Sequence, residues 1–376
     1  MTRNKVLFLN LHTFSLMGGI EKVNRSLTKA LSELASSQEI TNCEIFSMYD
    51  DSPDLAYTKK SSFSGFNGSR ISFGIATLIS GITSDVVILS HINLLIFGRM
   101  IKKVKPKTRI ILLAHGIEVW AELQRWKTTF LMSCEIWAVS NFTAEKLNVT
   151  HKIPLSKIQV LNNCIDPHFN IPTQFDKPES TLVRYKLTSN QPVLFTLTRL
   201  SSAEQYKGYD LILDCIKDLS KTHPNIRYML SGKSDPIENQ RIKEIIKINK
   251  IEEFVILTGF LPDNEVQDHY LLADAFVMPS KAEGFGISFI EAAACGCPSI
   301  AGNKDGSTDA LVNGKLGRLI DPNKKSALIA AILETLKTGR SVENSTRLQK
   351  ECLENFSYES YKEKVLTLLK NKTYAT

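Results

Sequence analysis

Short apolar runs alternate with helically patterned segments along nearly the whole chain, and this alternation admits few folds other than parallel sheets covered by helices on both faces. In the first half, residues 6–11, 43–48, 85–90, 109–114, 136–139 and 158–161 read as strands. The first is followed by the turn Gly18-Gly19 and then by Ile20, Val23, Leu27, Ala30, Leu31 and Leu34, which share one face at helical spacing. In the second half the strands are 193–197, 227–230, 254–257, 275–278 and 298–301, with helices at 208–219 and 264–272 between them. After Asp321-Pro322 the pattern is helical to the end, and 356–370 is the last helix. The expectation is an α/β protein of two Rossmann-like domains, for which 376 residues is a comfortable length. Residues 1–168 form the first domain and 191–355 the second. The polar, proline-bearing stretch 169–190 connects them, and 356–376 carries the final helix.

Composition removes several classes of function. No apolar run approaches the roughly 18 residues needed to cross a bilayer. The polar start leads straight into the first strand without a secretory pattern, so a cytoplasmic location is expected, with the inner membrane face as a variant of it. Seven cysteines are spread from Cys43 to Cys352, and Cys295 and Cys297 stand too close for ordinary bridging; reduced, mostly buried thiols are expected. The net charge of +7 suits anionic nucleotides, a phospholipid surface or a lipid pyrophosphate acceptor, and is also compatible with no such partner. Nucleic acid is not expected as a partner: the largest basic cluster, 102–107, reads as a solvated loop before a strand. The aromatic, basic segment 120–130 reads first as a packed helix and second as a peripheral contact with lipid or acceptor.

The chemistry concentrates in Glu283-Gly284-Phe285-Gly286-Ile287-Ser288-Phe289-Ile290-Glu291, two carboxylates around a glycine-bracketed turn that opens an apolar helix. Gly284 and Gly286 allow close approach of the backbone to a ligand, and the unpaired first amides of the helix suit phosphate. Glu291, about a turn and a half into the helix, is placed to accept ribose hydroxyls, and Glu283 lies before it, beyond the phosphate. Glutamates near a helix start also occur simply because they suit its dipole. A glycosidase pair is a weaker reading, since eight residues of helix span about 12 Å, beyond the usual roughly 5 to 9.5 Å between its carboxylates.

Arg199 ends the first strand of the second domain and Lys207 precedes the next helix, so both face the ligand crevice at the carboxyl edge of a parallel sheet and can hold a diphosphate. Gly232 and Lys233 follow another strand at the same edge. His115-Gly116 occupies the corresponding place in the first domain, with Glu118 close behind. No metal is implied, because the chain has no Asp-x-Asp, His-x-x-x-His or Cys-x-x-Cys; cationic side chains and helix amides then carry the electrostatic work. Gly18-Gly19 is not the Gly-x-Gly-x-x-Gly fingerprint, which leaves a nicotinamide enzyme without its main support.

Together these motifs resemble the retaining glycosyltransferases of the GT-B fold, the family-four or glycosyl transferases group 1 type, over nearly the whole chain. The Glu283 to Glu291 spacing, Arg199 with Lys207-Gly208, and His115-Gly116 carry the resemblance, together with Ala138-Val139-Ser140-Asn141-Phe142, in which Ser140 or Asn141 caps a helix. Asn162-Asn163-Cys164-Ile165-Asp166 resembles the family's Asn-Gly-Val-Asp segment, with cysteine in place of glycine, and Arg199 and Lys207 are separated by seven residues, a longer loop than many relatives carry. The resemblance implies two domains facing across a cleft, with the final helix crossing back to the first. It also implies a nucleoside-diphosphate sugar as donor substrate, no further cofactor, and a glycan or lipid-linked hydroxyl acceptor in bacterial surface polysaccharide synthesis.

Residue by residue, Arg199 and Lys207 would stabilise the departing diphosphate, Glu283 with Gly284, Phe285, Gly286 and Ile287 would position the sugar, and Glu291 would bind ribose. His115 would hydrogen-bond the transferred sugar or, less readily, act as base; Glu118 would orient the acceptor or be a solvated loop residue. Gly18 and Gly19 would approach the donor phosphates or the acceptor, Lys233 after Gly232 would touch phosphate, and Phe260 and Leu261 would border the nucleobase. A non-catalytic nucleotide-sugar-binding partner, an epimerase and a phosphorylase on the same fold remain as alternatives.

Overall fold

In the computed structural model, which describes residues 4–371, the first apolar run forms β1 (Lys5–Asn10) at the middle of a sheet. Its side chains alternate, Val6 and Phe8 joining one core cluster and Leu7 and Leu9 another, so both faces are covered. The other strands are β2 (Asn42–Ser47), β3 (Phe63–Gly65), β4 (Val86–Leu89), β5 (Arg109–Ala114), β6 (Glu135–Ala138) and β7 (Ile158–Val160). They pair in parallel in the order β3-β2-β1-β4-β5-β6-β7.

Helices of this unit are α1 (Gly19–Ser36), α2 (Arg70–Thr83), α3 (Leu95–Val104), α4 (Ile117–Trp120), α5 (Arg125–Leu131) and α6 (Asn141–His151). Leu27, Ala30, Leu31 and Leu34 of α1 bury against Val6 and Phe8. Phe73 of α2, Ile101 of α3 and Leu147 of α6 cover the opposite face. The Ser140 side chain caps α6 by accepting the Thr143 amide at 3.1 Å, which decides between the two capping candidates.

The second unit comprises residues 168–355. It runs through α7 (Glu179–Tyr185), β8 (Val193–Leu197), α8 (Tyr209–Leu219), β9 (Arg227–Ser231), α9 (Pro236–Asn249), β10 (Val255–Gly259), α10 (Asp263–Leu272) and β11 (Ala275–Met278). It continues with α11 (Ile287–Ala294), β12 (Ser299–Gly302), α12 (Ser307–Ala310), β13 (Gly317–Ile320), α13 (Lys325–Thr338) and α14 (Val342–Phe356). The sheet is parallel in the order β10-β9-β8-β11-β12-β13. The chain then returns to the first unit through α15 (Tyr358–Lys370). Tyr361, Val365 and Leu369 join the cluster beneath α1, and Lys362 pairs with Glu33 at 2.9 Å.

The structure departs from several sequence expectations: Lys102 and Lys103 of the basic cluster read as a loop, for one, lie in the last turn of α3. Residues 169–190, read as a connection, belong to the second unit: α7 forms there, and Lys177 pairs with Asp274 at 2.6 Å beside the amide of Val193 at the start of β8. The strands β3 and β13 were not expected, because each is only three or four residues long and glycine-bearing, with no alternation long enough to register. The segment 120–130 is not one helix; the backbone turns extended at Ala121 and restarts after Gln124 as α5. All seven cysteines are buried and unpaired. Among the described residues no helix is long and apolar enough to cross a membrane.

Candidate active site

In the second unit the loops that follow β8, β11 and β12 meet at one edge of the sheet, where all carboxyl ends of parallel strands emerge. The loop after β8 brings in Lys207, whose ammonium forms an ion pair with the Glu283 carboxylate from the loop after β11; the two side chains are only 14% and 12% exposed. Burial alone would pull the lysine pKa down, but the Glu283 charge and hydrogen bond outweigh it and hold the ammonium above its ordinary value. The loop after β12 completes the arrangement. Asp305, 1% exposed, accepts the Glu283 amide at 2.7 Å and the Ser307 amide at 3.0 Å, and Gly306 donates its own amide to the Glu283 carbonyl at 2.8 Å. Glu283 is thereby fixed by both its backbone and its side chain. Burial pushes the Asp305 carboxyl up to about 6 against the opposing bonds from these amides.

Gly286 supplies the turn into α11 with φ +94, and a Cβ there would lie 2.5 Å from the Phe289 ring. Only glycine meets both demands. The first amides of α11 are therefore presented next to Glu283, with Gly284 and Ile287 half-buried and Phe285 packed inward. Gly232 answers a comparable constraint after β9: at φ +143, a Cβ would fall 1.7 Å from the Thr198 carbonyl oxygen. This close approach sets the loop carrying Lys233, which is exposed.

Other expected residues lie differently. Arg199 is 71% exposed on its side chain and pairs with Glu204, a carboxylate of its own loop that sequence reasoning did not single out. Glu291 is only 2% exposed and accepts the Tyr270 hydroxyl at 3.2 Å, so its carboxylate is packed inside the unit rather than open to solvent. Phe260 is 52% exposed just after β10, whereas Leu261 is buried.

In the first unit, the His115 ring places Nε2 2.8 Å from the Ser90 carbonyl oxygen. A carbonyl only accepts, so Nε2 carries the proton of this bond and Nδ1 takes no part in it. That Nδ1 is buried and has no partner among the described residues. Glu118 accepts the His115 amide at 2.6 Å and the Gly116 amide at 3.2 Å, which gives it a definite loop-holding part. Nearby His91, not foreseen, is held below the ordinary histidine value chiefly by burial, against the Glu118 charge. Gly18 is an extended N-cap of α1 and Gly19 has open space beside it.

The β1–α1 loop ahead of these glycines is set by Asp50, which accepts the Thr13 and Ser15 amides at 2.7 Å each. Burial raises the Asp50 carboxyl, but these bonds outweigh it and hold it below its ordinary value. Among the described residues no group of three or more His, Cys, Asp or Glu side chains is arranged to hold a metal ion.

The glycine-flanked turn, the Lys207–Glu283 pair and the parallel sheet behind them coincide with the region matched by a known family. Residues 183–363 are a glycosyl transferases group 1 domain. Over 164 residues, 42% of this chain, it is 29% identical to a GDP-mannose-dependent alpha-(1-6)-phosphatidylinositol monomannoside mannosyltransferase of Mycolicibacterium smegmatis. It is 27% identical over 199 residues to mannosylfructose-phosphate synthase of Agrobacterium fabrum, covering 51% of this chain. These matches span less than half the length of each relative, 41% and 43%. The whole chain superposes on Anabaena Alr3699/HepE, solved in complex with UDP, with a TM-score of 0.76 at 17% identity, covering 97% of this chain and 99% of that one. The shared architecture is the GT-B fold of two Rossmann-like units.

Proposed function

We propose that this group 1 chain is a retaining glycosyltransferase that moves a hexose-type sugar from a UDP- or GDP-linked donor to a hydroxyl of a glycan or lipid-linked acceptor. Bacterial surface polysaccharide synthesis is the setting that best suits such an acceptor. The observation that carries the reading is the Lys207–Glu283 pair, anchored by Asp305 at the start of α11 within the group 1 domain. Relatives point the same way: one is GDP-mannose-dependent by name, and one structural neighbour was solved with UDP.

In this mechanism the diphosphate sits against the first amides of α11, where the helix dipole favours negative charge. As the anomeric C–O bond breaks, charge grows on the departing phosphate oxygen, and Lys207 and Arg199 stabilise it in place of a divalent cation. Glu283 orients the ammonium and the sugar, and by the family resemblance the His115 ring hydrogen-bonds the sugar. The acceptor hydroxyl attacks on the face the diphosphate leaves and passes its proton to a phosphate oxygen, so no enzymic nucleophile is needed. The family spacing assigns ribose binding to Glu291.

The test is a calorimetric screen against UDP-glucose, UDP-galactose, UDP-N-acetylglucosamine, GDP-mannose and dTDP-rhamnose, with Lys207→Ala and Glu291→Ala as controls. One donor bound tightly and lost in both variants supports the reading. Folded protein that binds none of them overturns it. The anomeric configuration of the product, read by NMR, tests retention.

A further inference from the structure

The α2 and α3 helices of the first unit pack unusually close. A Cβ at Gly81 would lie 2.3 Å from the Ile101 side chain, and one at Gly74 would touch Phe97 at 3.5 Å. Their inner faces sit on the sheet through Phe73, Leu95 and Ile101. Their outer faces therefore lie side by side, and they are not polar. On α2, Ile71, Ile75, Ile79 and Ile82 are 79%, 57%, 63% and 40% exposed. On α3, Ile96, Met100 and Val104 are 40%, 40% and 69% exposed. Steps of three and four residues align each set into a stripe along its helix. A helix in water ordinarily turns charged residues outward, and two adjoining apolar stripes mark a docking surface.

The charges around the stripes select the partner. Residues 70–107 carry the cations Arg70, Arg99, Lys102, Lys103, Lys105 and Lys107 against a single acid, Asp85, which Lys105 approaches at 3.8 Å. Lys103 and Lys107 are exposed, and the Arg99 guanidinium lies 5.6 Å over the Trp126 ring. Branched apolar side chains flanked by cations match a bilayer surface, with isoleucines entering the acyl boundary and lysines and arginines meeting lipid phosphates. A second copy fits less well, because a two-fold contact through this face would bring the same cations together. We infer that the α2–α3 face docks this chain onto an anionic phospholipid surface. The inference does not rest on the transferase reading, since lipid binding is measured without turnover.

The experiment is vesicle co-sedimentation of the full chain, with phosphatidylcholine vesicles and with phosphatidylcholine–phosphatidylglycerol vesicles, at low and high salt. Binding is expected to the anionic vesicles and to weaken with salt. The double substitution Ile75→Asn with Ile79→Asn is expected to lower vesicle affinity at least about tenfold, and Lys103→Glu with Lys107→Glu to lower it as well. Ile237→Asn with Ile248→Asn, which alters exposed isoleucines of α9 in the second unit, is expected to change nothing. Circular dichroism shows that each variant remains folded. Absent binding to anionic vesicles, or binding indifferent to the α2 substitutions, overturns the inference. A dimer in sedimentation velocity that the α2 substitutions dissolve, without vesicle binding, assigns the face to a second copy and overturns it equally.

Discussion

The Asp305 carboxylate accepts the backbone N–H of Glu283 at 2.7 Å while lying 1% exposed beneath it, so a buried acid of one loop sets the position of a site acid in another. Its pKa near 6 stands above the unfolded value of 3.8, so the native state binds the extra proton between them. The sign is the reverse of a salt-bridged aspartate: stability is greatest below about pH 4 from this group and falls as pH rises to about 6. The expected loss is on the order of 3 kcal/mol. Urea unfolding of the second unit's transition between pH 4 and 7, compared with Asp305→Asn, measures it; an unchanged slope in the variant refutes the assignment.

Lys207 and Glu283 are expected to be coupled more strongly than surface pairs, because neither side chain is more than 14% exposed. Lys207→Met and Glu283→Gln should each destabilise the chain by about 2–4 kcal/mol by stranding a charge. The double substitution should cost less than the sum by about 1–3 kcal/mol. A double-mutant cycle by denaturant titration checks this, and strict additivity contradicts it. For turnover, Lys207→Met is expected to lower kcat about 100- to 1000-fold.

Gly286→Ala places a methyl group against Phe289 at a positive φ. It is expected to lower stability by about 1–3 kcal/mol and to weaken donor binding about tenfold, because the turn that presents the α11 amides must shift. Calorimetry with the tight donor reads the second effect; unchanged affinity would dissociate the turn from the donor.

Asp50→Ala leaves the amides of Thr13 and Ser15 without their acceptor and is expected to cost about 2–4 kcal/mol. Since the folded Asp50 pKa lies below its ordinary value, its contribution is present above the unfolded pKa near 3.8 and is lost as pH falls through the lower folded value. Thermal melts of wild type and variant should therefore converge in acid. Melts that stay apart at every pH contradict this.

His115→Ala is expected to lower kcat/KM about 100-fold at the cost to the fold of the Nε2 bond to the Ser90 carbonyl, since Nδ1 has no partner among the described residues. A large fall in melting temperature with unchanged kcat/KM would make the ring a structural bridge to Ser90.

Both sheets were legible from the chain because a strand buried on two faces is a near-continuous apolar run, as residues 275–278 are and 193–197 are apart from Thr196, and β8 and β11 occupy those same positions. The turn at Gly284 and Gly286 was legible because its conformation excludes other residues, and the family spacing of Glu283 and Glu291 travels with it. The loop 302–306 resembles the family's glycine-rich segment near the donor, but the burial of Asp305 and its bond to the Glu283 amide were not legible, since they depend on how two distant loops meet. Glu204 escaped notice because the choice of partner for Arg199 depends on how a long loop closes. The exposed isoleucines of α2 escaped too: an apolar helix reads as core until the packing shows which side faces the sheet.

Local sequence thus determined what depends on neighbours in the chain: the βα alternation, the glycine turns, the Ser140 cap and the candidate site residues. Tertiary structure alone decided which strands adjoin, that 169–190 joins the second unit, that Lys207 meets Glu283, and that Glu291 is enclosed with Tyr270. The reason is physical. Turn and helix preferences act over a few residues, whereas burial, pairing and charge depend on segments tens of residues apart that only the closed fold brings together.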